Sequence, residues 1–213
     1  MQSLARYQEA IAAYQSLRGD KSADVEVNIG FCESRSRGWA YALPHYQLAT
    51  ELDPENFNAW ENLARAYFAT SKPELALQTM GKVLPFPQAG AIHWMEKGQI
   101  ELACGKWTEA DRSLRIALSH QPALSQALQD KALDLLENIQ RQHLLLAAKR
   151  ILGPGYNEDR LRLALDNGIV AARQAKSDES KVIQAIRSAE PAIIYSQAEK
   201  IVRELLTVRQ QAR

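Results

Sequence analysis

The chain has 213 residues, of which 46% are hydrophobic and 24% are charged, and its net charge is +1. This composition is typical of a packed globular chain and excludes a disordered or collagen-like one. A charge so close to zero provides no global field that would attract nucleic acid, and no apolar run reaches the roughly 18 to 20 residues that span a bilayer.

A sequence pattern recurs through the first half of the chain with a period of 34 residues. The positions that keep this register, or twice the interval for the prolines, are Ala42, Ala76, Ala110, Trp60, Trp94, Pro54 and Pro122. A tryptophan offers a large contact area, an alanine lets two helices approach closely, and a proline cannot continue a helix. The pattern predicts stacked pairs of helices, each covering the hydrophobic side of its neighbour.

This register resembles the tetratricopeptide repeat, whose unit carries Trp, Leu-Gly, Tyr, Ala, Phe and Pro at fixed offsets. The middle unit shows the resemblance with Trp60, Leu63, Tyr67 and Ala76. It extends over about residues 5–124. It implies an all-α fold: a right-handed helical-repeat solenoid of helix pairs, followed by additional C-terminal helices.

Several positions depart from the family pattern without breaking its register. Glu26 stands where the tryptophan belongs, and Glu33 and Glu101 stand at the tyrosine position. Lys97 replaces the leucine, and Gln88 replaces the terminal proline. Each departure weakens its own unit, whereas the alignment of three units supports the repeat as a whole.

The resemblance and the helical periodicity together divide the chain. We predict a solenoid over 1–124 (a half unit over 1–20 and complete units over 23–56, 57–90 and 91–124), a capping helix over 125–152 and a C-terminal helical region over 153–213. The capping helix follows from Leu128, Ala132, Leu135, Leu136 and Ile139, which recur at spacings of three and four.

The C-terminal region is predicted to contain further helices. Gly153 to Gly155 end the capping helix, Asn157 or Asp159 caps the next one, and Pro191 indicates a break near Glu190 before a last helix. Residues 141–213 carry 13 basic and 8 acidic residues, so this surface is more basic than the repeats. Two interpretations stay open: extra helices that pack on the solenoid, or a module that dimerises or docks an acidic partner or a membrane.

No catalytic or metal-binding motif is evident. The histidines, His45, His93, His120 and His143, have no set of partners at metal-ligand spacing. The sequence also lacks a phosphate loop, a dinucleotide fingerprint and a nucleophile elbow. We therefore predict that the chain is not an enzyme and that it has no catalytic residue, metal or cofactor.

The two cysteines, Cys32 and Cys104, lie far apart and have no second thiol at a metal-binding spacing. We interpret both as small buried hydrophobic residues. The lack of a disulfide framework favours a reducing compartment, and residues 1–7 do not resemble the start of a secretion signal. We expect a soluble, cytoplasmic protein without an integral membrane segment, although the chain could belong to a longer one.

The resemblance also implies a binding surface. In proteins of this family the first helix of each unit lines a concave groove, and fixed offsets of the repeat touch a bound peptide. Those offsets give Asn28, Phe31, Arg35, Asn58, Glu61, Asn62, Arg65, Phe68, Met95 and Gln99 as predicted partner-binding residues, with Ser34, Ile92, Glu96 and Leu102 beside them. The asparagines suit a peptide backbone, Arg65 suits a carboxylate, and the aromatic residues and Met95 suit apolar anchors.

These observations favour a non-catalytic adaptor or scaffold that binds a protein or peptide segment in the groove. One alternative is the helical, non-catalytic arm of a larger enzyme or of a secretion or assembly protein. A second is a dimerisation module formed by the C-terminal helices, which would make the protein a homo-oligomer. RNA binding is disfavoured, because residues 1–140 carry 13 basic and 17 acidic residues and the related RNA-binding repeats need a basic face.

Overall fold

The computed structural model describes residues 2–16, 22–153, 156–174, 179–190, 193 and 196–203. The helices are α1 (Gln2–Ser16), α2 (Ala23–Ser36), α3 (Trp39–Leu52), α4 (Phe57–Ala69), α5 (Pro73–Val83), α6 (Ala91–Ala103), α7 (Trp107–Ser119), α8 (Gln126–Leu152), α9 (Glu158–Gln174) and α10 (Glu179–Ala189). Residues 196–203 are helical as well, and the described residues contain no strand. The predicted all-α fold is confirmed.

The chain divides into two compact units, Met1–Ala132 and Leu133–Arg213, so that α8 begins in the first and continues in the second. The predicted limits of the single repeats and of the capping helix stay predictions. The predicted end of the half unit at residue 20, the helix stop at 154–155 and the last helix beyond residue 203 lie outside the described residues.

In the first unit each helix from α1 to α6 packs on the helix that follows it in the chain. The tightest pairings are α2 with α3, α4 with α5 and α6 with α7, and α2 also contacts α4. This is the arrangement of a helical-repeat solenoid, in which the first helices of successive pairs lie beside each other. The fold therefore places the residues of α2, α4 and α6 on neighbouring helices.

Small residues let the helices of a pair approach closely. A Cβ atom on Gly30 would lie 2.7 Å from the Tyr46 ring, and one on Gly98 would lie 2.8 Å from Cγ of Leu114. Tyr46 and Leu114 are both fully buried. A larger residue at Gly30 or Gly98 would collide with the second helix of its pair, so the packing requires small residues at both positions.

Each helix pair turns through a residue in the left-handed region. Gly38 (φ 105°) lies between α2 and α3, and Gly105 (φ 71°) lies between α6 and α7. The equivalent turn between α4 and α5 uses Ser71 at φ 58°, which is uncommon for a residue with a side chain. The two glycines thus have a conformational reason that the repeat period alone does not reveal.

The second unit has its own core. The C-terminal half of α8 contributes Leu144 and Ala148, α9 contributes Leu161, and the helical stretch 196–203 contributes Ile201. The choice left open for the start of α9 is decided by Asn157, whose side-chain oxygen accepts the backbone N–H of Arg160 at 3.1 Å. α10 ends at Ala189, as the sequence predicts.

Candidate partner-binding site

The predicted partner-binding residues lie on the first helices of the three pairs. α2 carries three of them, α4 five and α6 two. Phe31 is 50% exposed and Phe68 is 37% exposed, and the polar members of the set are exposed or half-buried. We call this face of α2, α4 and α6 the groove surface.

Met95 is the exception, because only 3% of its surface is exposed. A side chain so deeply buried in the first unit offers almost nothing for a partner to contact. The structure therefore corrects the expectation of an exposed anchor at this position. The family offset marks a helix face, whereas burial depends on how the neighbouring helices pack.

A network of charged side chains joins α4 to α6. Arg65 donates from one terminal nitrogen to Oε1 of Glu61 at 2.9 Å and from Nε to Oε1 of Glu96 at 2.9 Å. His93 lies 2.9 Å from the same Glu61 oxygen. Glu61 and Arg65 are one helical turn apart, so their pairing follows from α4 alone, whereas Glu96 and His93 reach them from α6.

The position of the hydrogen on His93 follows from its two contacts. The backbone N–H of Gly90 donates to Nδ1 at 2.9 Å, so Nδ1 is an acceptor and Nε2 carries the hydrogen that Glu61 accepts. His93 is 5% exposed, and its ring packs edge-on against Phe57 at 5.3 Å. It is thus a core histidine that fixes the start of α6.

The network keeps both of its central groups charged at neutral pH. Burial would raise the pKa of Glu61, but the hydrogen bond from His93 and the positive charge of Arg65 outweigh it and hold the pKa below its ordinary value. Burial would likewise lower the pKa of Arg65, but Glu96 and Glu61 raise it instead. The ion pair between Glu61 and Arg65 therefore persists across the physiological pH range.

A pocket of about 230 Å³ opens beside this network. Its lining residues come from four helices and are Trp39, Arg65, Phe68, Ala69, Met80, Glu96, Gln99 and Ile100. The structure thus brings together three of the predicted residues, Arg65, Phe68 and Gln99. We call it the α4–α6 pocket.

Residues 45–78 match the family model of the tetratricopeptide repeat. They cover the end of one helix pair and most of the next, which is the segment whose stacking is described above. Within this segment the chain carries a tetratricopeptide repeat. The helix pairs α2 with α3, α4 with α5 and α6 with α7 have the arrangement of these repeats.

Other proteins with similar sequence or fold accompany this match. The chain is 24% identical to human DnaJ homolog subfamily C member 3 over 144 residues, which is 67% of this chain and 28% of the relative. It is 30% identical to the chicken protein of the same name over 84 residues, or 39% of this chain and 16% of that one. The chain thus matches less than a third of the length of these relatives.

A solved tetratricopeptide repeat protein from Parabacteroides merdae shares the fold, with a TM-score of 0.55 and 14% identity. The match covers 95% of this chain and 78% of that one. At this identity the likeness extends to the fold alone.

The repeat residues on α2 and at the start of α4 lie apart from the α4–α6 pocket. Phe31 makes an edge contact with the ring of Tyr7 on α1 at 6.5 Å. Asn62 donates to the backbone oxygen of Asn58 at 2.8 Å, one turn earlier on α4. Asn28, Phe31, Arg35, Asn58 and Asn62 are therefore part of the groove surface without lining the pocket.

Sequence reasoning missed Trp39 and Met80, which belong to the second helices α3 and α5. The family offsets for peptide contacts point only to first helices, and no local signal marks these two residues. They reach the pocket because α3 and α5 pack against α4 and α6. Only the packed structure could have identified them.

The departures from the repeat pattern have partners that the sequence did not show. Glu26 lies 2.8 Å from Nδ1 of His45. Glu101 accepts from Ser113 at 2.6 Å and also contacts Lys97. Buried carboxylates are stable only when paired, and these pairs replace the missing aromatic contacts with polar links between the helices of a repeat.

In the part of the chain that the structure describes, no three His, Cys, Asp or Glu side chains come together as a metal site would require. Among the same residues, none of the helices is both long and apolar enough to cross a bilayer.

Proposed function

We propose that the tetratricopeptide repeats form a non-catalytic interaction module, an adaptor or scaffold that binds a segment of a partner protein on the groove surface. The observation that supports this most is the convergence of Arg65, Phe68 and Gln99 on one pocket between neighbouring repeats. A partner lying across α4 and α6 could use these side chains together.

Exposed aromatic residues support the same surface. Phe31 and Phe68 leave 50% and 37% of their surfaces in water, and both stand at groove offsets. Aromatic side chains are enriched in protein interfaces, where their burial contributes a large share of the binding energy. The two residues would thus be the apolar anchors of the partner segment.

Polar residues would position the backbone of that segment. Asn28 and Asn58 are exposed, and their amides can both donate to and accept from an extended peptide. The ion pairs of Arg65 with Glu61 and Glu96 hold α4 and α6 in place. A surface held in this way loses less conformational freedom on binding, which favours affinity.

The structure shows which groove residues can be replaced to test this function without weakening the fold. Replacing Arg65 would strand two partly buried carboxylates and weaken the fold, so its loss of binding would be ambiguous. The exposed aromatic residues avoid this problem. The test variant is therefore Phe31→Ser with Phe68→Ser, used as bait beside the unchanged chain in a lysate, with the captured proteins identified by mass spectrometry.

A matched control comes from the second helices of the same repeats. Tyr41 on α3 is 49% exposed and Leu75 on α5 is 41% exposed, so Tyr41→Ser with Leu75→Ser removes a comparable apolar area outside the groove surface. We expect purified partners to bind the groove variant at least about tenfold more weakly and the control with unchanged affinity, with both variants as helical as the parent chain. Equal binding by both variants would reject the groove surface as the site.

A further inference from the structure

The start of α6 is held by the ring of a histidine. Gly90, the residue before α6, has no side chain that could accept a hydrogen bond from the first turn. Instead its own backbone N–H donates to Nδ1 of His93, the third residue of the helix, at 2.9 Å. Glutamate or glutamine is the usual acceptor at this position. A histidine differs from both, because it takes up a proton within the range from about pH 5 to 8.

The neutral ring is the form that satisfies both of its contacts. Nε2 carries the hydrogen that Oε1 of Glu61 accepts, so a second proton would have to go to Nδ1. Protonated Nδ1 would point a donor at the N–H of Gly90, which is itself a donor. Only 5% of His93 is exposed, so little water reaches the ring to replace the lost hydrogen bond. Protonation of His93 and this cap of α6 therefore exclude each other.

The charged groups around His93 keep their partners when the ring is protonated. Glu61 faces the ring from α4 and can pair with an imidazolium as it pairs with the neutral ring. Arg65, also on α4, has two carboxylates as partners. The charged side chains one turn along α6 are Glu96, which pairs with Arg65, and Lys97, which pairs with Glu101. The hydrogen bond from Gly90 is thus the contact that protonation removes.

A second histidine lies on the other side of Gly90. A Cβ atom on Gly90 would be 4.0 Å from Cε1 of His120, the residue that follows α7. Nδ1 of His120 is buried and has no hydrogen-bond partner among the described residues. The backbone N–H groups at a helix N-terminus carry partial positive charge, so a cation there is unfavourable. Protonation of either ring would therefore destabilise the same end of α6.

We propose that His93 is an acid-sensitive cap of α6: the neutral ring holds the start of the helix, and protonation releases Gly90 and the first turn, Ala91–Trp94. Glu96 and Gln99 follow on the same helix and line the α4–α6 pocket. Release of the first turn would loosen the α6 side of the groove surface, so partner binding would weaken on acidification. This consequence rests on the proposed function, whereas the cap itself does not.

NMR of the full chain tests the cap, with the pH lowered from about 8 to about 5. The ring nitrogens of His93 report its protonation, and the Gly90 amide reports the hydrogen bond through its exchange rate relative to an unfolded peptide at the same pH. We expect the protection of Gly90 to fall at least about tenfold in step with protonation of the ring. A ring that becomes protonated while Gly90 stays protected, or that stays neutral over the whole range, would overturn the inference.

His93→Gln replaces the ring with an acceptor that does not titrate, and glutamine is a regular partner in such a cap. The variant should keep Gly90 protected over the same pH range. His143→Gln, a matched change on α8 in the second unit, should leave the acid release of Gly90 as it is in the parent chain. If Gly90 is also released in His93→Gln, another group controls the start of α6. The titration of the parent chain decides the question even if this variant does not fold.

Partner binding at neutral and acidic pH separates this inference from the proposed function. A captured partner should bind the parent chain about fivefold more weakly at the acidic end, and the His93→Gln variant with nearly unchanged affinity. If Gly90 is released but the partner binds equally well, the cap is supported and its effect on the groove surface is rejected. If no partner is captured, the proposed function loses its support, while the NMR titration still decides the cap.

Discussion

At the scale of single residues, the helix pairs depend on positions where no side chain fits. A Cβ atom on Gly98 would lie 2.8 Å from Leu114, whereas one on Gly81 would meet nothing within 4 Å. Both glycines lie inside helices, α6 and α5, where alanine has the higher helix propensity by about 1 kcal/mol. The two positions therefore make a matched pair for testing the close approach.

Gly98→Ala should destabilise the protein and Gly81→Ala should stabilise it. Overpacking against the buried Leu114 costs about 1 to 3 kcal/mol, which exceeds the gain in helix propensity. At Gly81 only the gain remains, about 0.5 to 1 kcal/mol. Urea unfolding followed by circular dichroism measures both free energies of unfolding, and a stabilising Gly98→Ala would show that α6 and α7 can move apart without cost.

Single residues also show which packing contacts the sequence could predict and which it could not. The repeat register predicts where the two helices of a pair approach closely, and the structure shows such a close approach at Gly30 and Gly98. The burial of Met95 and the partners of Glu26 and Glu101 were not predicted. They depend on which atoms of neighbouring helices lie within a few ångströms, and an offset along one helix does not contain that information.

At the scale of helices, the α4–α6 network links the stability of the repeats to pH through Glu61. Its pKa is lower in the folded chain than in the unfolded one, so its contribution is fully present above the ordinary pKa of a glutamate, near 4.3. As the pH falls through the folded pKa, the Glu61 carboxylate becomes protonated. It then no longer carries the negative charge that attracts Arg65 and His93. The contribution is therefore lost on the acid side.

Glu61→Gln isolates this contribution, since it keeps the shape of the side chain but not its charge. At pH 7 the variant should be less stable by about 1 to 2 kcal/mol, and this difference should shrink toward zero as the pH falls well below 4.3. Urea unfolding of both proteins from acidic to neutral pH provides the comparison. A difference that stays constant over this range would mean that the charge of Glu61 is not what joins α4 to α6.

The helices themselves were more predictable than the pocket between them. The 34-residue period and the spacing of apolar residues predict where helices form, because both reflect the geometry of a helix and its neighbour. The α4–α6 pocket also needs Trp39 and Met80, which come from α3 and α5. Their side chains take part because of packing between helices, so a prediction restricted to first helices found only part of the lining.

At the scale of the whole molecule, the second unit offers a surface for the predicted homo-oligomer. Leu163 is 56% exposed and Val170 is 49% exposed, and the two lie seven residues apart on α9, on one side of the helix. If the C-terminal helices dimerise as the sequence suggested, Leu163→Glu with Val170→Glu should convert a dimer into a monomer. Sedimentation velocity measures the change, and a parent chain that is monomeric at every concentration would count against dimerisation.

The first helices of the three repeats also differ in their glycines and N-caps, and these differences affect which helix can form first. α4 has no glycine, and its N-cap Asn56 accepts from Ala59, whereas α2 and α6 each contain a glycine and Ser22 makes no such cap for α2. A glycine lowers intrinsic helicity, so α2 and α6 depend more on their neighbours to stay helical. Among the first helices of the three repeats, α4 is thus the one from which helical order would spread outward in both directions along the chain.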